Sequence, residues 1–127
     1  MDKYIIVTTL CNKEEIANKI IDTLLEKKLI VGSQVTKVHS KYWWNNKLEE
    51  WDEYKLEFRT KETIFNEIEN EIKQIHDYEV AEISYYEIKN ASKEFFDWID
   101  KNILLILKVS NPRPLKTNIE KECLRLI

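Results

Sequence analysis

The chain has 127 residues, enough for one domain, with 43% hydrophobic and 34% charged residues. Its net charge of −3 supplies no basic field for nucleic acid and no polybasic patch for a membrane. The opening "MDKYIIVTTLCNKEE" has too short an apolar run for a signal peptide, and nothing reaches the ~20 apolar residues of a membrane span. The expectation is a cytoplasmic protein whose two cysteines, Cys11 and Cys123, are reduced thiols.

Tyr4 to Leu10 is apolar and β-branched and reads as a strand buried on both faces. Asn12 with Glu15 three residues on resembles a capping box. Ile16, Ala17, Ile20, Ile21, Leu24 and Leu25 then recur at helical spacing, which predicts a helix over residues 13–28. "LIVGSQVTKVHSKYWW" reads as a second strand with Gly32 as a bulge. "WNNKL" signals a hairpin, because Asn tolerates the left-handed backbone that a two-residue turn needs. The return strand sets Tyr54, Leu56 and Phe58 on one face and Lys55, Glu57 and Arg59 on the other. A second helix over residues 61–75 carries Ile64, Phe65, Ile68, Ile72 and Ile75 as its stripe. "YEVAEISYYEI" reads as a fourth strand, and Ser92 caps a third, shorter helix with Phe95, Phe96, Trp98, Ile99 and Ile103.

The order β-α-β-β-α-β, then a helix, predicts an α+β, ferredoxin-like fold: a four-stranded antiparallel sheet with two helices on one face. This domain occupies residues 1–103. Residues 104–127 read as a C-terminal extension, either an added strand at Leu104 to Val109 with a short helix at Ile119 to Ile127, or a partly disordered tail. Pro112 and Pro114 break any helix between those two pieces.

Trp43 and Trp44 are adjacent, so on a strand their rings point to opposite faces. Two helices cover only one face of such a sheet. Val80 and Tyr86 likewise oppose Ala81, Ile83 and Tyr85 on the fourth strand. Fully burying an aromatic side chain stabilises by roughly 2–3 kcal/mol. The excess therefore predicts a homo-oligomer in which other subunits cover the second face and the hairpin. The single-chain alternative covers that face with the C-terminal extension.

The chain has no Gly-x-Ser-x-Gly element, no Cys/His pair at useful spacing and no zinc-finger pattern, so no enzyme is expected. "IHDYEVAEI" gathers His76, Asp77, Tyr78, Glu79 and Glu82 between the second helix and the fourth strand. A histidine with carboxylates can take a divalent ion. Alternatively, His76 closes the helix, where a cation suits the dipole, and the glutamates are structural acceptors. His39 reads as an ordinary strand residue. Glu49, Glu50, Asp52 and Glu53 read as a solvated acidic face. Lys47 and Lys61 are candidates to pair with them across a subunit boundary.

Five segments in order, "IIVTT", "LLEKKLIVGSQV", "YWWNNKLEEWDE", "IHDYEVAEI" and "FFDWI", resemble the CutA divalent-cation tolerance family from Tyr4 to Ile103. The resemblance implies a homotrimer, PII-like in architecture, that binds divalent metal ions such as copper or zinc and contributes to metal tolerance. It implies metal ligands at His76, Glu79 and Glu82, with Asp77 beside them. It places inter-subunit cleft positions on Tyr42, Trp44, Lys47, Glu49, Glu50 and Lys61, and also on Tyr78. No other cofactor, no nucleic acid and no membrane partner is implied. The chain departs from the family where Gly32 replaces a usual cysteine, which removes a thiolate ligand for soft copper. Asp77 and Ala81 replace the two signature prolines. The alternative reading is a PII-like signalling or scaffold trimer that holds a small ligand or protein partner in inter-subunit clefts through Lys47 and Lys61.

Overall fold

The computed structural model describes residues 2–109, with side chains through Ile103. β1 (Tyr4–Cys11) leads into α1 (Glu14–Glu26), and β2 (Gly32–Trp44) and β3 (Lys47–Lys61) form one long hairpin. A 3-10 turn (Glu62–Ile64) opens α2 (Phe65–Ile75), and β4 (Ile83–Glu87) and α3 (Lys93–Val109) follow. The strands pair antiparallel in the order β2-β3-β1-β4, which is the expected ferredoxin-like arrangement.

Register builds the core. Ile5, Val7 and Thr9 lie opposite Thr60, Phe58 and Leu56, and all six are buried. Ala17, Ile20 and Leu24 of α1 and Ile68 and Ile72 of α2 close over them. The alternate residues form the second face, which is tied by polar contacts. The Tyr86 hydroxyl donates to Glu57 at 2.8 Å, Arg59 donates to Gln34 at 3.0 Å, and the Thr8 and Ser84 hydroxyls meet at 3.1 Å. This face is more polar than the aromatic count suggests. The apolar excess is displaced to the hairpin, where Trp43 is 71% and Leu48 68% exposed.

The hairpin turn is as expected, with Asn45 at φ 50° and Asn46 at φ 62°. Ser92 also caps α3, its Oγ accepting the Phe95 N–H at 3.3 Å. Four expectations are corrected. The N-cap of α1 is Lys13, with no side-chain cap bond, so the Asn12 capping box does not form. Gly32 is no bulge, because it sits in continuous register opposite Arg59. A Cβ there would lie 3.3 Å from Cη2 of Trp98, so its small size serves packing against α3. β4 begins at Ile83 and not at Tyr78. Its ladder with β1 ends at Thr9–Ile83, since the next carbonyl, Leu10, is taken by the His76 ring at 2.6 Å. Finally, residues 104–109 continue α3, so the expected added strand does not form and the helix expected to be short is the longest of the three, at 17 residues against 13 and 11. Pro112, Pro114, Cys123 and the expected helix over 119–127 lie outside the described residues. Among those described, no helix is long and apolar enough to cross a membrane.

Candidate functional site

β2 and β3 run past the end of β1 as a two-stranded arm. The arm's register sets Tyr42 opposite Glu49, Ser40 opposite Trp51 and Val38 opposite Glu53. Alternation therefore puts Tyr42, Trp44, Glu49, Trp51 and Glu53 on one face, with Trp43 and Leu48 on the other. The first face looks across to Tyr78, Glu79 and Glu82 and encloses an open groove of about 770 Å³.

His76 braces this groove. Its side chain is 1% exposed. Nε2 donates to the Leu10 carbonyl at 2.6 Å, and Nδ1 accepts the Tyr78 N–H at 3.1 Å. Its own backbone N–H closes α2 on the Ile72 carbonyl at 2.8 Å. Both ring nitrogens are occupied, so within the chain His76 has no lone pair left for a metal. It instead delivers Tyr78 into the groove, the two rings lying 4.6 Å apart. The Tyr78 hydroxyl donates to Glu53 Oε2 at 2.7 Å. Burial first, then the Glu53 carboxylate, push the Tyr78 phenol well above its ordinary pKa.

Asp77 turns away and pairs with Lys13 at 2.8 Å. That contact holds the Asp77 carboxyl below its usual range. Glu79 and Glu82 are exposed on the groove, and Glu82 accepts the Ser84 hydroxyl at 3.1 Å. Among the described residues, no three His, Cys, Asp or Glu side chains converge to hold a metal ion. The expected set of His76, Asp77, Glu79 and Glu82 is thus not assembled inside one chain.

Of the expected cleft residues, Tyr42, Trp44, Glu49 and Tyr78 come together with Glu79 and Glu82. Glu50 does not, because it faces the other way and clamps His39 together with Asp52, whose carboxylate lies 2.7 Å from Nδ1. The Asp52 contact, then Glu50, hold the His39 imidazole above its ordinary pKa. Lys47 and Lys61 are the first and last residues of β3, so they stand ~45 Å apart in one chain. Lys61 is buried at the far end, 2.5 Å from Asp100 and over the Tyr4 ring at 5.6 Å. Within one chain these two lysines cannot build an anion site together.

Sequence reasoning missed Asn12, Trp51 and, above all, Glu53 as groove residues. Glu53 was expected on a solvated face and is only 6% exposed. The Asn-Asn turn fixes hairpin register and puts Glu53 on the Trp51 face. Its partner Tyr78 comes from another part of the chain, and no local pattern shows that contact.

The model of the family "CutA1 divalent ion tolerance protein" matches residues 5–102. The divalent-cation tolerance protein CutA of Archaeoglobus fulgidus is 33% identical over 103 residues, covering 81% of this chain and 99% of that protein. The protein of the same name from Thermotoga maritima is 30% identical over 79% of this chain and 99% of its own length. The solved structure described as the periplasmic divalent cation tolerance protein CutA from Archaeoglobus fulgidus superposes with a TM-score of 0.77 at 31% identity, over 79% of this chain and 98% of that one. The match spans all four strands apart from Tyr4, both α1 and α2, and α3 as far as residue 102. This chain belongs to the CutA1 divalent ion tolerance family.

Proposed function

We propose that the protein serves divalent-cation tolerance as a cytoplasmic homotrimer, holding the ion and transforming no substrate. In this reading residues 1–103 carry the function and residues 104–127 are an extension. The observation that carries it is the sign of the groove. Glu49, Glu79 and Glu82 stand on its walls with Glu53 at its base, against Lys41 and His39 as the basic residues lining it among those described. Such a field concentrates cations and repels anions, which favours this reading over a PII-like anion cleft.

Glu79 and Glu82 are the first ligands, and His76 acts by positioning their segment. A neighbouring subunit completes the coordination shell. Carboxylate oxygens take zinc or copper(II) in preference to copper(I), and Gly32 offers no thiolate. Trimer formation covers the arm, where Trp43 and Leu48 are otherwise the most exposed large hydrophobic residues of the hairpin.

Calorimetric titration with zinc and with copper(II) tests the ligand assignment. Glu79→Gln with Glu82→Gln should weaken zinc binding about tenfold or more, and an isotherm equal to wild type removes both glutamates from the site. Light scattering tests the assembly. The wild type should have the mass of three chains, and Trp43→Ser with Leu48→Ser should release single chains on dilution.

A further inference from the structure

The inner end of the groove is built differently from its acidic rim. Glu53 is buried, and its Oε2 accepts the Tyr78 hydroxyl. No lysine, arginine or histidine among the described residues forms an ion pair with it. A carboxylate withdrawn from water without a counter-charge is costly. Asn12 lines the same groove, and its Oδ1 is shielded from solvent with no hydrogen-bond partner. One acceptor short of a donor, Asn12 Oδ1, and one carboxylate short of a counter-charge, Glu53, therefore border one space. The rings of Tyr42, Trp44 and Tyr78 and the side chain of Leu10 wall it.

A bare metal ion fits this end poorly. No three metal-ligating side chains converge among the described residues, and aromatic walls offer a hydrated ion nothing in exchange for its water. A protonated amine fits in three ways. Its charge compensates Glu53, and its N–H groups satisfy Asn12 Oδ1. The quadrupoles of the tyrosine and tryptophan rings attract the cation, while the ring faces bury its carbons.

We infer that the groove binds a small organic cation, a protonated primary amine on a short apolar chain, with its ammonium between Glu53 and Asn12 and its carbons against Tyr42 and Trp44. This goes beyond cation tolerance and does not depend on it, since the proposed metal ligands Glu79 and Glu82 lie on the rim.

Titration of the full chain with n-butylammonium chloride, read by tryptophan fluorescence and by NMR shifts of the Glu53 and Tyr78 amides, tests the inference. Sodium chloride at equal ionic strength is the control. Saturable binding is expected below about 10 mM, weakened about tenfold by Glu53→Gln and severalfold by Asn12→Ala. Tetramethylammonium, which has no N–H, should bind more weakly than butylammonium. The glutamine variant keeps the shape of the buried side chain. If circular dichroism shows that it misfolds, the Asn12→Ala result decides. No saturation by wild type, or equal affinity in both variants, overturns the inference. Zinc binding that survives Glu53→Gln while amine binding is lost separates this site from the rim. Loss of zinc binding in Glu79→Gln with Glu82→Gln, with amine binding intact, separates them from the other side.

Discussion

β3 is one strand with two different lives. Its second half, Glu53 to Lys61, alternates buried and half-buried residues under α1 and α2, while residues 47–52 are almost all exposed. The body is held by tertiary packing, with Leu56 and Phe58 fully buried. The arm is held only by its turn, its ladder to β2 and cross-strand contacts, and an isolated two-stranded hairpin is marginal in water. The same covalent strand thus carries a stable half that positions the groove and a weaker half that needs a partner or local clamps. Apart from Glu53, the packed core and the candidate groove draw on different residues of the strand, so substitutions in one region should leave the other readable.

The largest expected effect lies in the body. Phe58→Ala removes a fully buried ring between β1 and the helices and should cost about 3–5 kcal/mol in denaturant unfolding. A loss under about 1 kcal/mol would mean that the body is not the stable half. Asp100→Asn comes next. Asp100 accepts the Tyr4 hydroxyl at 2.9 Å on each oxygen and pairs with buried Lys61. Burial, then Asp100, push the Tyr4 phenol up to about 12. Since Asp100 is partly exposed, the substitution should cost about 1–2 kcal/mol. Zinc and amine titrations should be unchanged by it, which sharpens the division.

The smallest effect is in the arm. His39 is raised by its clamp of Asp52 and Glu50, so the contribution of the clamp is fully present below the ordinary imidazole value of about 6.5. It fades as pH rises through the higher folded value. Hydrogen exchange at the arm amides should therefore be slower at about pH 6 than at about pH 9, after correction for intrinsic rates. His39→Gln should abolish the difference and leave global stability untouched. A pH dependence that persists in the variant would assign it elsewhere.

The body was legible in the sequence because its periods are clean. Period two at Tyr54 to Arg59 and the helical stripe at Ile64 to Ile75 each name one buried face. The misreadings fell where local pattern met a nonlocal competitor. Residues 78–82 look like a strand, yet the His76 ring takes the carbonyl that would pair them. Leu104 to Val109 is apolar enough for a strand, but it follows a capped helix without a breaker and stays helical. Asn12 has the spacing of a capping box, but the helix starts one residue later. The site was half legible. Tyr42, Trp44, Glu49, Tyr78, Glu79 and Glu82 were found through motif resemblance. Glu53 was lost inside a run of charges, because composition cannot say which member of such a run turns inward.

β2 closes one side of the sheet and contributes thirteen residues to it, against five in β4 at the other side. Its outer rim is a long row of amides and carbonyls that no described strand pairs. Such a rim is a template for another backbone. If the neighbours meet at a rotation that closes, the template is used up in a finite ring, and if the rotation drifts, the same rim propagates a ribbon. An unpaired rim of this length makes pairing between copies, rather than loss of the fold, the first route to aggregation to test.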